Sequence, residues 1–237
     1  MIGRYALACL DMAGTTVRDD GAVEEAFGAA LAAVGVEEGS ERRVEADVLV
    51  RSTMGWSKAD VFAVLLDPRD AATATAAFAA AYEAVVAAGR VTEIPGAGDV
   101  LRELRRRGVR VCLTTGFAPS TRDAVLDALA WRDEIDLALS PVDAGRGRPA
   151  PDMIVTAMAR LGVDDARAVA VVGDTVSDLE SGTAAGAGAV IGVLSGAHPA
   201  AALAATPHTS LIADITALPA ALRLPPVDPE HHGMAAR

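Results

Sequence analysis

The sequence predicts an α/β chain: a doubly wound, parallel, Rossmann-like sheet with an all-helical cap domain inserted into it. Three observations carry this. From about residue 97 onward, short apolar β-branched runs alternate with amphipathic helical stretches, the spacing of parallel strands joined by crossover helices. Two of the apolar runs, 5–10 and 169–173, are followed at once by an aspartate, Asp11 and Asp174, where open α/β sheets place their ligands. Between residues 21 and 89 no strand pattern occurs, so that segment reads as helices inserted into the core.

The elements follow in order. Residues 5–10 form a buried strand that breaks at the Gly14-Thr15-Thr16 turn. A helix over 23–34 places Phe27, Ala30, Leu31 and Val34 on one face. A second, over 40–51, has Ser40 as its cap and Val44, Val48 and Leu49 as its apolar side. Lys58 opens a third, with Val61, Phe62, Leu65 and Leu66 buried, and 69–88 is a long Ala-rich helix. Ile94-Pro95-Gly96 marks the return to the core. There a helix over 97–107 ends at Gly108, followed by a strand over 109–114, a helix over 120–130 and a short strand over 137–139. A helix over 151–161, a strand over 169–173, a helix over 178–185 and a strand over 189–193 complete the alternation. This gives a core of 1–17 and 92–222, a cap of 18–91, and a frayed tail of 223–237 with adjacent His231 and His232 that read as solvated.

At 237 residues and 51% apolar content, the chain can bury one sizeable core plus a smaller satellite. A net charge of −11 argues against a nucleic-acid or anionic-membrane surface. Cys9 and Cys112 both fall inside strands and read as small core residues. The start of the chain shows no secretory signal. The uncharged stretch 181–213 is broken by glycines, prolines and histidines and reads as strand, loop, short helix and strand. Both observations point to a cytoplasmic protein.

Asp11 and Asp174-Thr175-Val176-Ser177-Asp178 would bring carboxylates to one sheet edge, a hard oxygen-rich site suited to Mg²⁺. An isolated Asp-x-x-Gly-Thr reads as a helix cap; the downstream repeat of the pattern turns the reading toward chemistry. Between the two lie Thr114-Thr115-Gly116 and Gly145-Arg146-Gly147-Arg148-Pro149, whose hydroxyl, amides and guanidinium are groups that hold phosphate oxygens.

With these motifs the chain resembles the haloacid dehalogenase-like hydrolases, and within them the phosphonoacetaldehyde hydrolase (phosphonatase) branch, up to about residue 222. Three marks carry the branch: Asp-x-Ala-Gly-Thr-Thr-Val at Asp11, with Ala13 where the superfamily usually has a second Asp; Arg148 where it usually has Lys; and Met54-Gly55-Trp56-Ser57-Lys58, similar to the segment bearing the Schiff-base lysine.

The resemblance implies Asp11 as nucleophile toward phosphorus, and Mg²⁺ held by Asp11, the Ala13 carbonyl, Asp174 and Asp178. Asp178 would act directly or through water, or cap the next helix. Thr115 and the Gly116 amide would bind phosphoryl oxygens, with Thr114 the alternative one residue away. Arg148 supplies positive charge, Arg146 is solvated, and Met54 and Gly55 complete the substrate side.

Two positions depart from the branch: its His three residues after the lysine is Val61 here, and its Tyr after Thr-Gly is Phe117. These departures fit a sister group. Without an acid at position 13, an alkoxide leaving group goes unprotonated, a loss of about 10²–10⁴ in rate. A carbon leaving group escapes that need if Lys58 forms an iminium.

The implied activity is Mg²⁺-dependent cleavage of a phosphonoacetaldehyde-type C–P bond. A phosphomonoesterase using Lys58 only for charge is the alternative, and a non-enzymatic phosphate-binding protein is disfavoured by the intact carboxylates and Arg148. The partner is then a small phosphorylated or phosphonate substrate. The resemblance also implies a homodimer through the caps, with Trp56 and the Ala-rich helix at hand.

Overall fold

A strand is buried along its whole length only when both faces of its sheet are covered, and β1 (Leu7–Asp11) is buried at every residue. The computed structural model describes residues 4–18 and 20–224. After β1 come β2 (Val17–Arg18), α1 (Ala22–Ala33), α2 (Glu41–Ser52), α3 (Lys58–Leu65), α4 (Pro68–Ala87) and β3 (Thr92–Glu93). The chain continues through α5 (Ala97–Arg106), β4 (Arg110–Thr114), α6 (Pro119–Ala128), β5 (Leu137–Leu139), α7 (Asp152–Arg160) and β6 (Val169–Gly173). It closes with α8 (Val176–Ala184), β7 (Ala189–Val193), α9 (Ala200–Ala204), β8 (Ser210–Ile212) and α10 (Leu218–Ala221).

The main sheet is six-stranded and parallel, in the order β5-β4-β1-β6-β7-β8. From β1 the chain works outward through β4 to β5, then crosses back to β6 on the other side. The strand order therefore reverses beside β1, and a ligand crevice opens at the carboxyl ends of β1 and β6. That register sets Asp11 level with Thr114 and leaves Asp174 one residue past β6.

The inserted segment is helical, as its sequence pattern predicts. Its centre is an aromatic cluster of Phe27, Phe62, Phe78 and Tyr82, with Phe27 and Phe78 edge-on at 4.9 Å. α4 starts where Asp67 accepts from the Arg69 and Asp70 amides, with Pro68 at the first helical position. A two-residue antiparallel ribbon, β2 with β3, joins the chain's entry into this segment to its exit. Strands so short carry no alternation to read, and the sequence gives no sign of them.

Several details differ from the sequence reading. In α2, Ser40 caps as expected, accepting from the Arg43 amide. Val44 and Val48, however, are each 58% exposed, while Ala46 and Val50 are buried. Positions 46 and 50 lie about 200° around the helix from 44 and 48, and the smaller pair faces the neighbouring helices. In α3, Val61 and Phe62 are buried but Leu65 and Leu66 only half-buried. α8 begins at Val176 rather than Asp178, because Thr175 takes the cap position. Of the expected tail, the Leu224 carbonyl accepts from Arg107 at 2.8 Å, and 225–237, with His231 and His232, lies outside the described residues. Among the described residues no helix is long and apolar enough to cross a membrane, and 181–213 holds the end of α8 and then, as expected, strand, loop, short helix and strand. Cys9 and Cys112 sit level in adjacent strands, both buried free thiols.

Candidate active site

The strand ends converge as their registers dictate. Asp11, at the end of β1, is buried, and its Oδ1 accepts from Arg148 Nη1 at 2.5 Å. The same Arg148 nitrogen reaches Asp178 Oδ1. Asp174 Oδ1 accepts from the Thr15 hydroxyl at 3.1 Å and Oδ2 from the Ala197 amide at 2.7 Å. Oxygens of Asp11, Asp174 and Asp178 all lie within 4.8 Å of one another.

Burial pushes the Asp11 carboxyl well above the usual range; Arg148 opposes this, and Asp178 and Asp174 add to it. Burial and then Asp178 raise Asp174 from 3.8 to about 6, against the Ala197 amide, the Thr15 hydroxyl and Arg148. The Arg148 guanidinium stays charged, since its two carboxylate partners outweigh the cost of its burial.

Three carboxylates and one guanidinium leave a formal charge of −2 in a buried pocket. An all-oxygen donor set of that charge fits a hard divalent cation. The backbone leaves room for the Asp174 carboxylate only through glycine: a Cβ at Gly14 or Gly196 would overlap it. The three aspartates could thus hold a metal ion. Asp178 also fills its alternative role, its Oδ2 accepting from the Thr175 amide at 3.1 Å at the start of α8.

These groups open on a cavity of about 540 Å³ whose walls include Asp11, Ala13, Thr115, Gly116, Arg148 and Asp174 from the core and Met54, Gly55 and Lys58 from the helical segment. Of the residues that the resemblance assigns to catalysis, substrate or metal, only Asp178 is not among those lining the cavity. Thr115 lines the cavity, whereas Thr114 Oγ1 turns to the Leu10 carbonyl at 3.5 Å. Arg146 is exposed and pairs with Asp152.

The stretch 54–58 lies directly on the core. The Lys58 amide donates to the Gly116 carbonyl at 3.2 Å, and Ser177 Oγ to the Met54 carbonyl at 3.3 Å. A Cβ at Gly116 would overlap the Trp56 carbonyl, and one at Gly55 would overlap Thr175 Oγ1, so both close approaches need glycine. Thr121, on α6, donates to Glu83, on α4, at 2.9 Å.

Lys58 is buried, with Nζ 5.2 Å from the ring centre of Phe27 and 5.7 Å from those of Phe78 and Phe117. Val61, at the position of the branch's histidine, is buried in the apolar core. Sequence reasoning missed Thr15, the 195–197 loop and the aromatic surround of Lys58. It also passed over a signal in plain view: Lys58 is the one lysine in a chain with twenty arginines.

The sequence profile of the haloacid dehalogenase-like hydrolases matches residues 5–186. The chain belongs to this family. Among curated relatives of this haloacid dehalogenase-like hydrolase is a phosphonoacetaldehyde hydrolase from Bacteroides fragilis, 38% identical over 90 residues, covering 38% of this chain and 34% of the relative. Another, from Bordetella avium, is 40% identical over 104 residues, 44% of this chain and 37% of the relative. The matches thus span about a third of those relatives' length.

Two solved structures share the fold of this haloacid dehalogenase-like hydrolase. A hydrolase from Pseudomonas syringae has a TM-score of 0.78 at 21% identity, covering 90% of this chain and 96% of its own. A phosphonoacetaldehyde hydrolase-like protein from Oleispira antarctica has a TM-score of 0.77 at 20% identity, covering 94% and 92%.

Proposed function

We propose that this chain hydrolyses the C–P bond of a small carbonyl-bearing phosphonate of the phosphonoacetaldehyde type, with Mg²⁺ at the aspartate cluster. One observation carries the reading: the chain's single lysine lines the same cavity as the strand-end carboxylate Asp11. Arginine can replace lysine for charge but cannot form an imine. Twenty arginines and one buried, cavity-lining lysine therefore mark a position chosen for its amine.

The residues divide the work. Arg148, the Thr115 hydroxyl and the Gly116 amide hold the phosphonate oxygens, with Met54 and Gly55 against the carbon side. The Lys58 amine, as free base, condenses with the carbonyl, releases water and keeps one proton taken up from solvent, leaving an iminium. An Asp11 oxygen then bonds to phosphorus in line as the C–P bond breaks, and that bond's electron pair flows into the iminium to give an enamine. A solvent proton on carbon and a water on the resulting imine release the aldehyde and regenerate Lys58. A second water hydrolyses the aspartyl-phosphate. Asp11, the Ala13 carbonyl and Asp174, with Asp178 behind, would hold the Mg²⁺, which would supply positive charge near the phosphoryl oxygens. No alkoxide forms, so Ala13 in place of an acid costs nothing in this route.

Phosphate release from phosphonoacetaldehyde should need both Mg²⁺ and Asp11, and Asp11→Asn should abolish it while leaving the fold intact. Turnover by Asp11→Asn within tenfold of wild type would remove the nucleophile. Hydrolysis of phosphate esters but of no carbonyl phosphonate would favour the phosphomonoesterase reading, in which the caged Lys58 ammonium acts by charge alone.

A further inference from the structure

The aromatic rings around Lys58 come from three separate places. Phe27 belongs to α1 and Phe78 to α4, both in the inserted helical segment; Phe117 lies on the core, just past the β4 strand end. All three ring centres are within about 6 Å of Nζ, the range over which a ring's quadrupole attracts a cation. Phe117 also touches Phe78 at 6.2 Å and Tyr82 at 4.5 Å between ring centres, so a core side chain completes a cluster otherwise built by the helical segment. The Lys58 amide donates to the Gly116 carbonyl beside it. The third ring is therefore present only while the helical segment is seated on the core.

We propose that Phe27, Phe78 and Phe117 form a cation cage that positions the Lys58 nitrogen and favours its iminium, and that Phe117, by closing the cage, ties carbonyl capture to docking of the helical segment. The proposal rests on the Schiff-base reading above. The chemistry suits such a cage. Summed from the resting ammonium through the free base that attacks, two of the three nitrogen protons end on the departing water and one is on nitrogen in the iminium. The positive charge is the same before and after. A π-faced, apolar enclosure suits that charge at both ends of the step while disfavouring the water that must depart. The same enclosure defines the substrate: the carbon bonded to Lys58 must be apolar and flat. That suits aldehydes and small ketones and not hydroxylated sugar phosphates.

Phe62 supplies the control. It belongs to the same aromatic cluster, 5.3 Å from Phe27, but is not among the rings facing Lys58. Borohydride added during turnover of phosphonoacetaldehyde should reduce the iminium and fix a two-carbon adduct on Lys58, which mass spectrometry reads. Phe117→Leu should lower the yield of that adduct about tenfold, Phe117→Tyr should restore it, and Phe62→Leu should leave it within twofold of wild type. Phe27→Leu and Phe78→Leu report on the cage if Phe117→Leu does not fold.

Equal adduct yield from Phe117→Leu and wild type, or equal losses from Phe62→Leu and Phe117→Leu, would overturn the proposal. A second readout separates the cage from the reading beneath it. With one lysine in the chain, ¹³C reductive methylation labels only Lys58 and the N-terminus. Ring faces should displace the Lys58 methyl resonance upfield in wild type and release it in Phe117→Leu. A displaced resonance without an adduct would sink the Schiff base alone; a resonance unmoved by Phe117→Leu would sink the cage.

Discussion

Replacing Asp174 by Asn should make the metal-free protein more stable. Burial and Asp178 hold the Asp174 carboxyl at about 6 against an ordinary 3.8. A carboxyl raised in the folded state binds its proton more tightly there than in the unfolded chain. Its stabilising contribution is therefore fully present below about pH 4 and lost as pH rises through about 6. Above that window the charged, buried group costs about 3 kcal/mol. Asn carries no charge; its oxygen can accept from the Ala197 amide and its NH2 can donate to the Thr15 hydroxyl, so two bonds to a charged group become neutral ones, at about 1 kcal/mol. The net gain is about 2 kcal/mol, or about 4–8 °C in Tm for a chain of this size.

Thermal melts in chelator across pH 4–8 give the test. The wild-type curve should fall relative to that of Asp174→Asn as pH passes from about 4 to above 6. Saturating Mg²⁺ should then raise wild type by about 3 kcal/mol at a hundred times Kd and leave the variant unmoved. A variant less stable than wild type above pH 7 in chelator, or two parallel pH curves, would refute the reasoning.

Other expectations follow from the same geometry. Arg148→Met leaves Asp11 and Asp178 buried without their shared cation, and chemical denaturation should show a loss of about 3–5 kcal/mol along with all phosphate release. Gly116→Ala puts a methyl group into the Trp56 carbonyl; kcat/KM should fall about a hundredfold through misplacement of Lys58, with Tm within a few degrees of wild type. Burial pushes the Cys112 thiol up, so neither it nor Cys9 should react with iodoacetamide until the chain unfolds, as a mass-spectrometric time course would show.

Much of the fold was legible because its signals are local. The apolar runs before Asp11 and Asp174 are strands buried on both faces, and strands of that kind announce themselves by continuous hydrophobicity. Ser40 capped as its type predicts. The face of α2 was misread because Val44 and Val48 outrank Ala46 in hydrophobicity, while packing in this Ala-rich segment selects the smaller side chain. At the site, the motif residues Asp11, Thr115, Arg148, Asp174 and Lys58 meet on one cavity. Phe27 and Phe78 could not be told from ordinary core, since a ring that packs and a ring that faces an amine occupy the same helical period. Only the spatial overlap of α1, α4 and the Thr115–Phe117 turn distinguishes them.

On the proposed reading, the amine of Lys58, not its charge, carries the reaction. The most direct test is phosphate release from phosphonoacetaldehyde by Lys58→Arg, with Mg²⁺ present and the variant's fold checked by its melting curve. Guanidinium keeps the charge but forms no imine, so C–P cleavage should fall to background. Activity within tenfold of wild type, about 1.4 kcal/mol of barrier, would contradict the reading.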